Sequence, residues 1–168
     1  MEYKTQKGNR RNFSWGNNPA EERDVTRGYF GIGIVYPKSD VNIGTLWRSA
    51  YQMGASFVFT VGKKYEPQAS DTPKAWRNLP LYHYSFWMDF QGHIPYDCQL
   101  IGVEIGGRVL KNFVHPERGI YLLGSEGNGL SEDIQKQCHT VVELPFERMA
   151  VYNVAVAGSL IMFDRMIK

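Results

Sequence analysis

Two apolar, strand-like runs separated by one helical run constrain the fold more than any other feature of the chain. Residues 28–36, GYFGIGIVY, show little alternation of apolar and polar side chains, which is typical of a strand buried on both faces. Gly54 can end the helical run at 41–54, whose apolar stripe consists of Ile43, Leu46, Ala50 and Met53. Residues 56–62, SFVFTVG, predict a second strand. The order strand–helix–strand predicts a right-handed crossover on a parallel sheet.

The rest of the chain continues the alternation of strands and helices, apart from a proline-rich middle segment at 63–97. That segment predicts a long loop that contains a short strand near 81–84 and a short helix near 86–91. Further strands are predicted at 98–105, 119–124 and 139–145, with a short helix at 131–138 that Ser131 caps. Residues 151–167 are apolar nearly all round, which predicts a helix buried in a core or in a subunit interface. The fold class is therefore α/β, with a mainly parallel sheet flanked by helices.

Length and charge set limits on the domain organisation. A chain of 168 residues, 43% of them hydrophobic, can build one domain with a sizeable core. We assign residues 28–168 to this domain and residues 1–27 to a polar arm. The net charge of +2 excludes a strongly basic nucleic-acid binder. The arm nevertheless begins with four basic side chains against one acid, so it is either a contact for phosphates or a frayed terminus.

Cysteine and histidine are too scattered to predict a metal site. Cys98 and Cys138 form no CxxC pair, and the four histidines lie far apart, so neither a disulfide framework nor a zinc site is expected. This pattern fits a reducing, cytoplasmic setting. The polar N-terminus predicts no signal peptide, and the longest apolar stretch, 154–163, is too short to span a membrane.

A glycine-rich turn, LLGSEGNGL at 122–130, follows one of the predicted strands. The spacing of Gly124, Glu126 and Gly129 is close to that of a dinucleotide-binding loop, but Glu126 replaces the glycine beside which a pyrophosphate must pass. A carboxylate there adds bulk and repels phosphate. The turn instead suits a ligand without phosphate, such as an adenosine with a cationic tail. The simpler alternative is a tight turn with glycines at positive φ and an ion-paired Glu126.

Two further polar positions lie at predicted helix starts. Asn42 and Gly44 lie where the first strand leads into its helix, and Arg48 projects away from the apolar stripe of that helix. Asn153 lies near the start of the last helix, where Ala155, Ala157 and Gly158 would permit close helix packing. Taken singly, these residues are as well explained by an asparagine cap, a surface arginine and a satisfied buried amide.

The order and spacing of the three stretches together resemble a known family. N-x-G-x-x-x-R-x-A-x-x-x-G at 42–54, L-x-G-x-E-x-x-G-L at 122–130, and L-P followed by N-V-A-V-A at 144–157 resemble the three motifs of the TrmH (SpoU) family of SPOUT RNA methyltransferases. The resemblance runs from about residue 29 to the C-terminus and suggests a minimal member without a separate RNA-binding domain. It implies a C-terminal deep trefoil knot, a homodimer completed by helices near the knot, and S-adenosylmethionine as the cofactor. The implied cofactor-binding residues are Leu123, Gly124, Glu126, Gly129, Leu144, Met149, Tyr152 and Asn153.

The resemblance also implies a reaction, the methylation of a ribose 2′-hydroxyl in tRNA or rRNA without a metal. Arg48 would grip the RNA phosphate and stabilise the developing alkoxide, because a guanidinium with a pKa above about 12 is a poor base. Asn42 and Glu126 would position Arg48 or the substrate backbone, and Asn153 completes the implied catalytic set. The implied RNA contacts are Lys4, Lys7, Arg10 and Arg11 of the arm, together with Arg48.

One position departs from the family pattern. The third motif typically reads S-L-N, whereas this chain has Val151, Tyr152 and Asn153. The missing serine hydroxyl motivates a second hypothesis, a knotted RNA-binding protein that has lost or altered methyl transfer. Tyr152 or Ser159 could compensate. A third interpretation, a generic nucleotide-binding α/β enzyme, is opposed by Glu126.

Overall fold

The computed structural model describes residues 28–67, 75–148 and 151–168. The helices and strands are, in chain order, β1 (Tyr29–Val35), α1 (Asp40–Gln52), β2 (Phe57–Val61), α2 (Ala75–Asn78), β3 (Leu81–Tyr84), α3 (Trp87–Gly92), β4 (Gln99–Val109), β5 (Arg118–Leu123), α4 (Glu132–Gln135), β6 (Thr140–Glu143) and α5 (Val154–Ile167). The basic arm that the sequence assigns to residues 1–27 lies outside the described residues. Within the described ranges, no helix is long and apolar enough to cross a bilayer, and no cluster of three or more metal-binding side chains occurs.

The six strands form one sheet in the order β3-β2-β1-β5-β4-β6, with every neighbouring pair parallel. The predicted β1-α1-β2 unit with parallel strands and the predicted α/β class with a mainly parallel sheet are therefore confirmed. On one side of β1 lie β2 and then β3. On the other side lie β5, then β4, then β6. The gap between the carboxyl ends of β1 and β5 is thus a topological switch point, where open α/β sheets bind ligands. The trefoil knot itself, which depends on how the segment after β6 passes the preceding loops, stays a prediction.

The sheet is buried on both faces in its centre, as the lack of alternation in β1 and β2 predicts. Every residue of β2 is buried, and only the first residue of β1 and of β5 is partly exposed. On one face, α1 and α5 enclose an aliphatic core that includes Ile32, Ile43, Leu46 and Leu123. On the other face, α3 and α4 cover a core around Phe59, Phe90, Ile120 and Leu122.

The structure corrects several predicted boundaries. The proline-rich segment was expected to hold only β3 and α3, but it also contains α2, a single helical turn. β4 continues beyond residue 105 to Val109 through a bulge in its pairing with β6. The helix predicted at 131–138 is shorter, and the side chain of Ser131 at its N-cap forms no capping hydrogen bond. α5 begins at Val154 rather than Val151, because Asn153 caps it and accepts hydrogen bonds from the amides of Ala155 and Val156.

One side of α5 packs directly on α1. A Cβ added to Gly158 would lie 2.3 Å from the Leu46 side chain, so the predicted close packing of the small residues is realised within the chain. The hydroxyls of Ser159 and of Ser49 on α1 are hydrogen-bonded to each other at 2.9 Å. The opposite side of α5 is exposed. Its apolar residues, at the spacing of a helical stripe, are Val156, Leu160, Phe163 and Ile167.

The C-terminal end of α5 is held to β5 by a buried polar cluster. His115 has a side-chain exposure of only 6%. Its Nδ1 lies 2.6 Å from the Tyr121 hydroxyl and its Nε2 lies 2.9 Å from Asp164. Burial lowers the pKa of His115 and outweighs the hydrogen bond that the ring donates to Asp164, which acts to raise it. Burial would raise the pKa of Asp164, but hydrogen bonds from Lys168 and His115 together lower it.

These two shifts predict that the protein loses stability as the pH falls. Because the pKa of His115 is lowered in the folded state, its contribution to stability is fully present above its ordinary pKa of 6.5 and is lost as the pH falls below that value and the unfolded chain takes up protons. Asp164 adds a second loss in the same direction near its ordinary pKa of 3.8. We expect the urea midpoint to fall between about pH 7.5 and about pH 5.5, and to fall less in His115→Gln. An equal fall of the urea midpoint in the wild type and in His115→Gln would contradict the assignment to His115.

Candidate active site

A cavity of about 490 Å³ opens at the carboxyl edge of the sheet, between the ends of β4, β5 and β6 and the start of α5. This volume lies in the range of small-molecule sites. The walls combine apolar side chains with exposed backbone of the glycine-rich turn. The lining residues belong to four segments: 103–105, 123–129, 143–144, and 151–154 with Ala157.

The turn that follows β5 closes tightly on itself. Ser125 and Gly129 exchange two backbone hydrogen bonds, of 3.2 and 3.0 Å. Gly127 and Gly129 have φ values of +85° and +65°, in the left-handed region that favours glycine. A Cβ on Gly124 would lie 2.0 Å from the backbone carbon of Gly129. The glycines are therefore required by the closure of the turn itself, and not by the approach of a pyrophosphate.

Glu126 faces the start of α1. Its carboxylate accepts hydrogen bonds from the backbone amides of Lys38 at 2.7 Å and Ser39 at 3.3 Å, and from Asn42 Nδ2 at 2.7 Å. Burial would raise the pKa of Glu126, but these hydrogen bonds, led by that from Asn42, lower it. Glu126 is thus an ionised carboxylate that fixes the turn to the loop between β1 and α1. The simpler alternative predicted an ion pair for Glu126. In the structure its carboxylate instead accepts hydrogen bonds from two backbone amides and one side-chain amide.

Asn42 extends this network to the start of α5. Its Oδ1 accepts a hydrogen bond of 3.0 Å from Asn153 Nδ2. Asn153 in turn caps α5 through its Oδ1. Asn42 is thus hydrogen-bonded both to Glu126, 84 positions later in the sequence, and to Asn153, 111 positions later. The stretches singled out in the sequence meet at the switch point.

Arg48 does not join that network. Its half-buried side chain lies on α1, and its Nη2 is 3.5 Å from the hydroxyl of Thr45, one turn earlier. Among the described residues, no hydrogen bond links it to Asn42 or Glu126, and it does not line the cavity. Asn42 and Glu126 therefore do not hold Arg48 directly. They fix the first turn of the helix that carries it.

The cavity contains nearly all of the residues that were expected to bind the cofactor. Those that line it are Leu123, Gly124, Glu126, Gly129, Leu144, Tyr152 and Asn153. Met149, Lys4, Lys7, Arg10 and Arg11 lie outside the described residues. Sequence reasoning missed the walls from β4 and β6, which include Glu104 and Glu143. The sequence feature that could have revealed the wall from β4 is the pair Gly106–Gly107, because glycine within a strand often marks a bulge.

The chemistry of the lining favours a ligand with cationic or neutral donors over a phosphate ester. Three carboxylates border the cavity, on Glu104, Glu126 and Glu143, whereas no lysine or arginine lines it among the described residues. Such a site repels phosphate and suits a ligand with positive charge or hydroxyl groups. The generic nucleotide-binding interpretation is therefore not supported by the cavity.

Comparison with known proteins gives a family match and several structural relatives. The sequence model of the SpoU rRNA methylase family matches residues 30–163. No curated protein is similar enough in sequence to count as a match. The fold is similar to that of the SpoU methyltransferase AviRb from Streptomyces viridochromogenes, solved with AdoMet, with a TM-score of 0.71 and 22% identity over 86% of this chain. The aligned region is 61% of the AviRb chain, so the present chain spans about three fifths of that protein.

Two further solved structures share the fold. The TrmH/SpoU tRNA-modifying enzyme of A. aeolicus has a TM-score of 0.73 and 14% identity, covering 82% of this chain and 74% of its own. A structure described as giving insight into the 2-OH methylation of C/U34 on tRNA has a TM-score of 0.71 and 18% identity, covering 83% of this chain and 95% of its own. At these identities the likeness establishes a common fold.

Proposed function

Because this chain belongs to the SpoU rRNA methylase family, we propose that it is an RNA methyltransferase that uses S-adenosylmethionine. The proposed reaction is methylation of a ribose 2′-hydroxyl in tRNA or rRNA, in the cytoplasm. The observation that carries this proposal is the cavity at the ends of β4, β5 and β6, beside the switch point: the second and third family-like stretches line it, and Asn42 of the first stretch is hydrogen-bonded to Glu126 and Asn153 at its border.

The lining of the cavity fits this cofactor. Apolar side chains of Leu123, Leu144 and Val154 offer a surface for the adenine ring, and the turn at 124–129 offers backbone groups for hydrogen bonds. The cofactor carries an ammonium and a sulfonium, which the three bordering carboxylates tolerate. When bound, it supplies a methyl group on a positively charged sulfur, which a nucleophilic oxygen can attack.

Arg48 is the residue that we propose to act on the RNA. Its guanidinium stays protonated, so it grips a phosphate and stabilises the oxygen as its proton leaves. Its place on α1, outside the cavity and beyond Asn42, supports a contact with RNA rather than with the cofactor.

Lysines at the same edge of the sheet extend the proposed RNA surface. Lys38 follows β1, and its Nζ lies 4.0 Å from the position that a Cβ on Gly127 would occupy. Lys63 and Lys64 follow β2, and Lys63 forms an ion pair with Asp40 at 2.6 Å. Exposed cations on neighbouring loops can follow a phosphate backbone. The basic residues of the arm would add to them.

We also propose that the protein acts as a homodimer through the exposed stripe of α5. Leu160→Glu is expected to convert a dimer into a monomer, because Leu160 lies in the middle of that stripe and a charge there would be buried in the interface. Light scattering after gel filtration would give the mass. The control is Met88→Glu, at an 80% exposed site on α3, which covers the opposite face of the sheet from α5, and it should leave the mass unchanged. A dimeric Leu160→Glu variant would contradict the proposed interface.

The direct test of function is methyl transfer from labelled S-adenosylmethionine into separated tRNA and rRNA from a strain that lacks the gene. Label in one RNA class, located on a ribose by digestion and lost with Arg48→Ala, would support the proposal and identify the substrate class. Label on a base would refute the ribose assignment while keeping methyl transfer.

A second candidate function is RNA binding without methyl transfer, which Val151 motivates. This residue lines the cavity where the family typically has a serine, and it is 68% exposed. Ser159 is a poor substitute, since its hydroxyl is bonded to Ser49 and to the carbonyl of Ala155. Tyr152 lines the cavity, with its hydroxyl bonded to the Pro145 carbonyl. Cofactor binding without label in any RNA, followed by transfer in Val151→Ser, would favour this second function.

A further inference from the structure

A bulge in β4 brings a carboxylate into the cavity. Val103 and Arg108 both pair with Val142 of β6, so residues 104–107 have no partner of their own in that strand. Gly106 has a φ of +82°, and its amide donates to the carboxylate of Glu143. The bulge is therefore fixed at its tip by β6, and it directs Glu104 at its base toward the glycine-rich turn.

Glu104 packs directly against that turn. Its Oε2 accepts a hydrogen bond of 2.7 Å from the amide of Leu130, and its Oε1 accepts one of 3.0 Å from the amide of Ile105. A Cβ on Gly129 would lie 2.2 Å from Glu104 Oε2. The carboxylate therefore occupies the space that the missing side chain of Gly129 leaves, and it is held in one orientation on the wall of the cavity.

Each carboxylate oxygen of Glu104 can accept more hydrogen bonds than the described residues donate to it. A carboxylate has about four acceptor positions, and each oxygen of Glu104 accepts one N–H. Glu126, by contrast, receives three donors and faces α1. A half-buried carboxylate beside the apolar side chains of Val103 and Leu123 is stabilised when a ligand supplies the remaining donors.

We propose that Glu104 binds the two ribose hydroxyls of the adenosyl cofactor. A vicinal diol presents two O–H donors side by side, which matches two carboxylate oxygens that each have acceptor capacity. The same use of an acidic side chain occurs in dinucleotide-binding folds, where it binds a ribose hydroxyl. The proposal rests on the adenosyl cofactor of the proposed function, and it is independent of which RNA is methylated and at which atom.

The test compares ligands as well as variants. Calorimetry would measure the binding of S-adenosylhomocysteine, of 5′-methylthioadenosine, which lacks the amino acid part, and of the 2′,3′-dideoxy form of 5′-methylthioadenosine. We expect Glu104→Ala to weaken the first two by about 10- to 100-fold, the usual effect of losing hydrogen bonds to a charged group. Glu104→Gln, which keeps an acceptor for one amide and fills the same space, should lose less. Neither variant should weaken the dideoxy ligand further.

Three results would overturn the proposal. An equal loss for the diol and dideoxy ligands would give Glu104 a structural role in holding the turn. A loss for S-adenosylhomocysteine alone would assign Glu104 to the amino group, and no loss for any ligand would remove it from the site. In each case the wild type still binds the cofactor product, so the proposed function stands. If the wild type binds neither adenosyl ligand, the proposed function and this inference both fail. Thermal unfolding would confirm that each variant is folded.

Discussion

Arg48→Ala is expected to lower the rate of methyl transfer by about 10²- to 10³-fold, the usual cost of removing one preorganised donor to a developing negative charge. Binding of S-adenosylmethionine should stay unchanged. The reason is its position: the Arg48 guanidinium lies outside the cavity and has no hydrogen bond to Asn42 or Glu126 among the described residues. Removing it therefore leaves the cofactor site intact.

The measurement is a single-turnover rate with labelled cofactor and the RNA class that takes up label in the direct test of function, together with calorimetry of cofactor binding. Arg48→Lys keeps the positive charge but loses the two-pronged geometry, so it should recover only part of the rate. Arg118→Ala is a matched control, because Arg118 is also half-buried but lies at the opposite edge of the sheet, over the ring of Tyr29. A parallel loss of cofactor affinity and rate in Arg48→Ala would contradict a role toward RNA.

The sequence predicts the sheet and the helices well wherever a single periodicity dominates. The apolar stripe of α1 and the uniform burial of β1 and β2 follow from local pattern, because the spacing of apolar residues decides which face is covered. α2 was missed since one helical turn after prolines has no periodicity to detect. α5 was left open between core and interface. The structure divides it by face, with Gly158 against α1 and Phe163 exposed, a division that apolar composition alone cannot reveal.

The site was only partly predictable, because its geometry depends on contacts between distant parts of the chain. Asn42, Glu126 and Asn153 were singled out by motif, but their mutual hydrogen bonds follow from the order of strands in the sheet. The partners of Glu126 are largely backbone amides, which no side-chain pattern identifies. Glu104 was missed for a similar reason: its approach to Leu130 requires the bulge that Gly106 and Gly107 permit.

Glu126→Ala is expected to have the second large effect, on stability and activity together. The substitution removes three acceptor contacts that join the glycine-rich turn to the start of α1. Hydrogen bonds to a charged group contribute about 1.5–3 kcal/mol each in general, and partial exposure reduces this, so we expect a loss of about 2 kcal/mol in the free energy of unfolding. Methyl transfer should fall by about 10²-fold, because the turn and Asn42 lose their fixed positions.

The acid dependence of stability separates this role of Glu126 from a mere packing contact. Since its pKa is lowered in the folded state, the carboxylate stabilises the fold above its ordinary pKa of 4.5, and this contribution is lost as the pH falls through the lowered value. Glu126→Gln should therefore lose less stability in acid than the wild type, because its side-chain amide does not titrate. It should also be less stable at neutral pH, because its NH₂ group faces an N–H donor where the carboxylate has an acceptor. Glu132→Gln, at an 88% exposed side chain, should keep the wild-type slope, stability and rate. If Glu126→Gln loses stability in acid as steeply as the wild type, the charge of the carboxylate does not hold the turn to α1. Other contacts would then fix the first turn of the helix that carries Arg48.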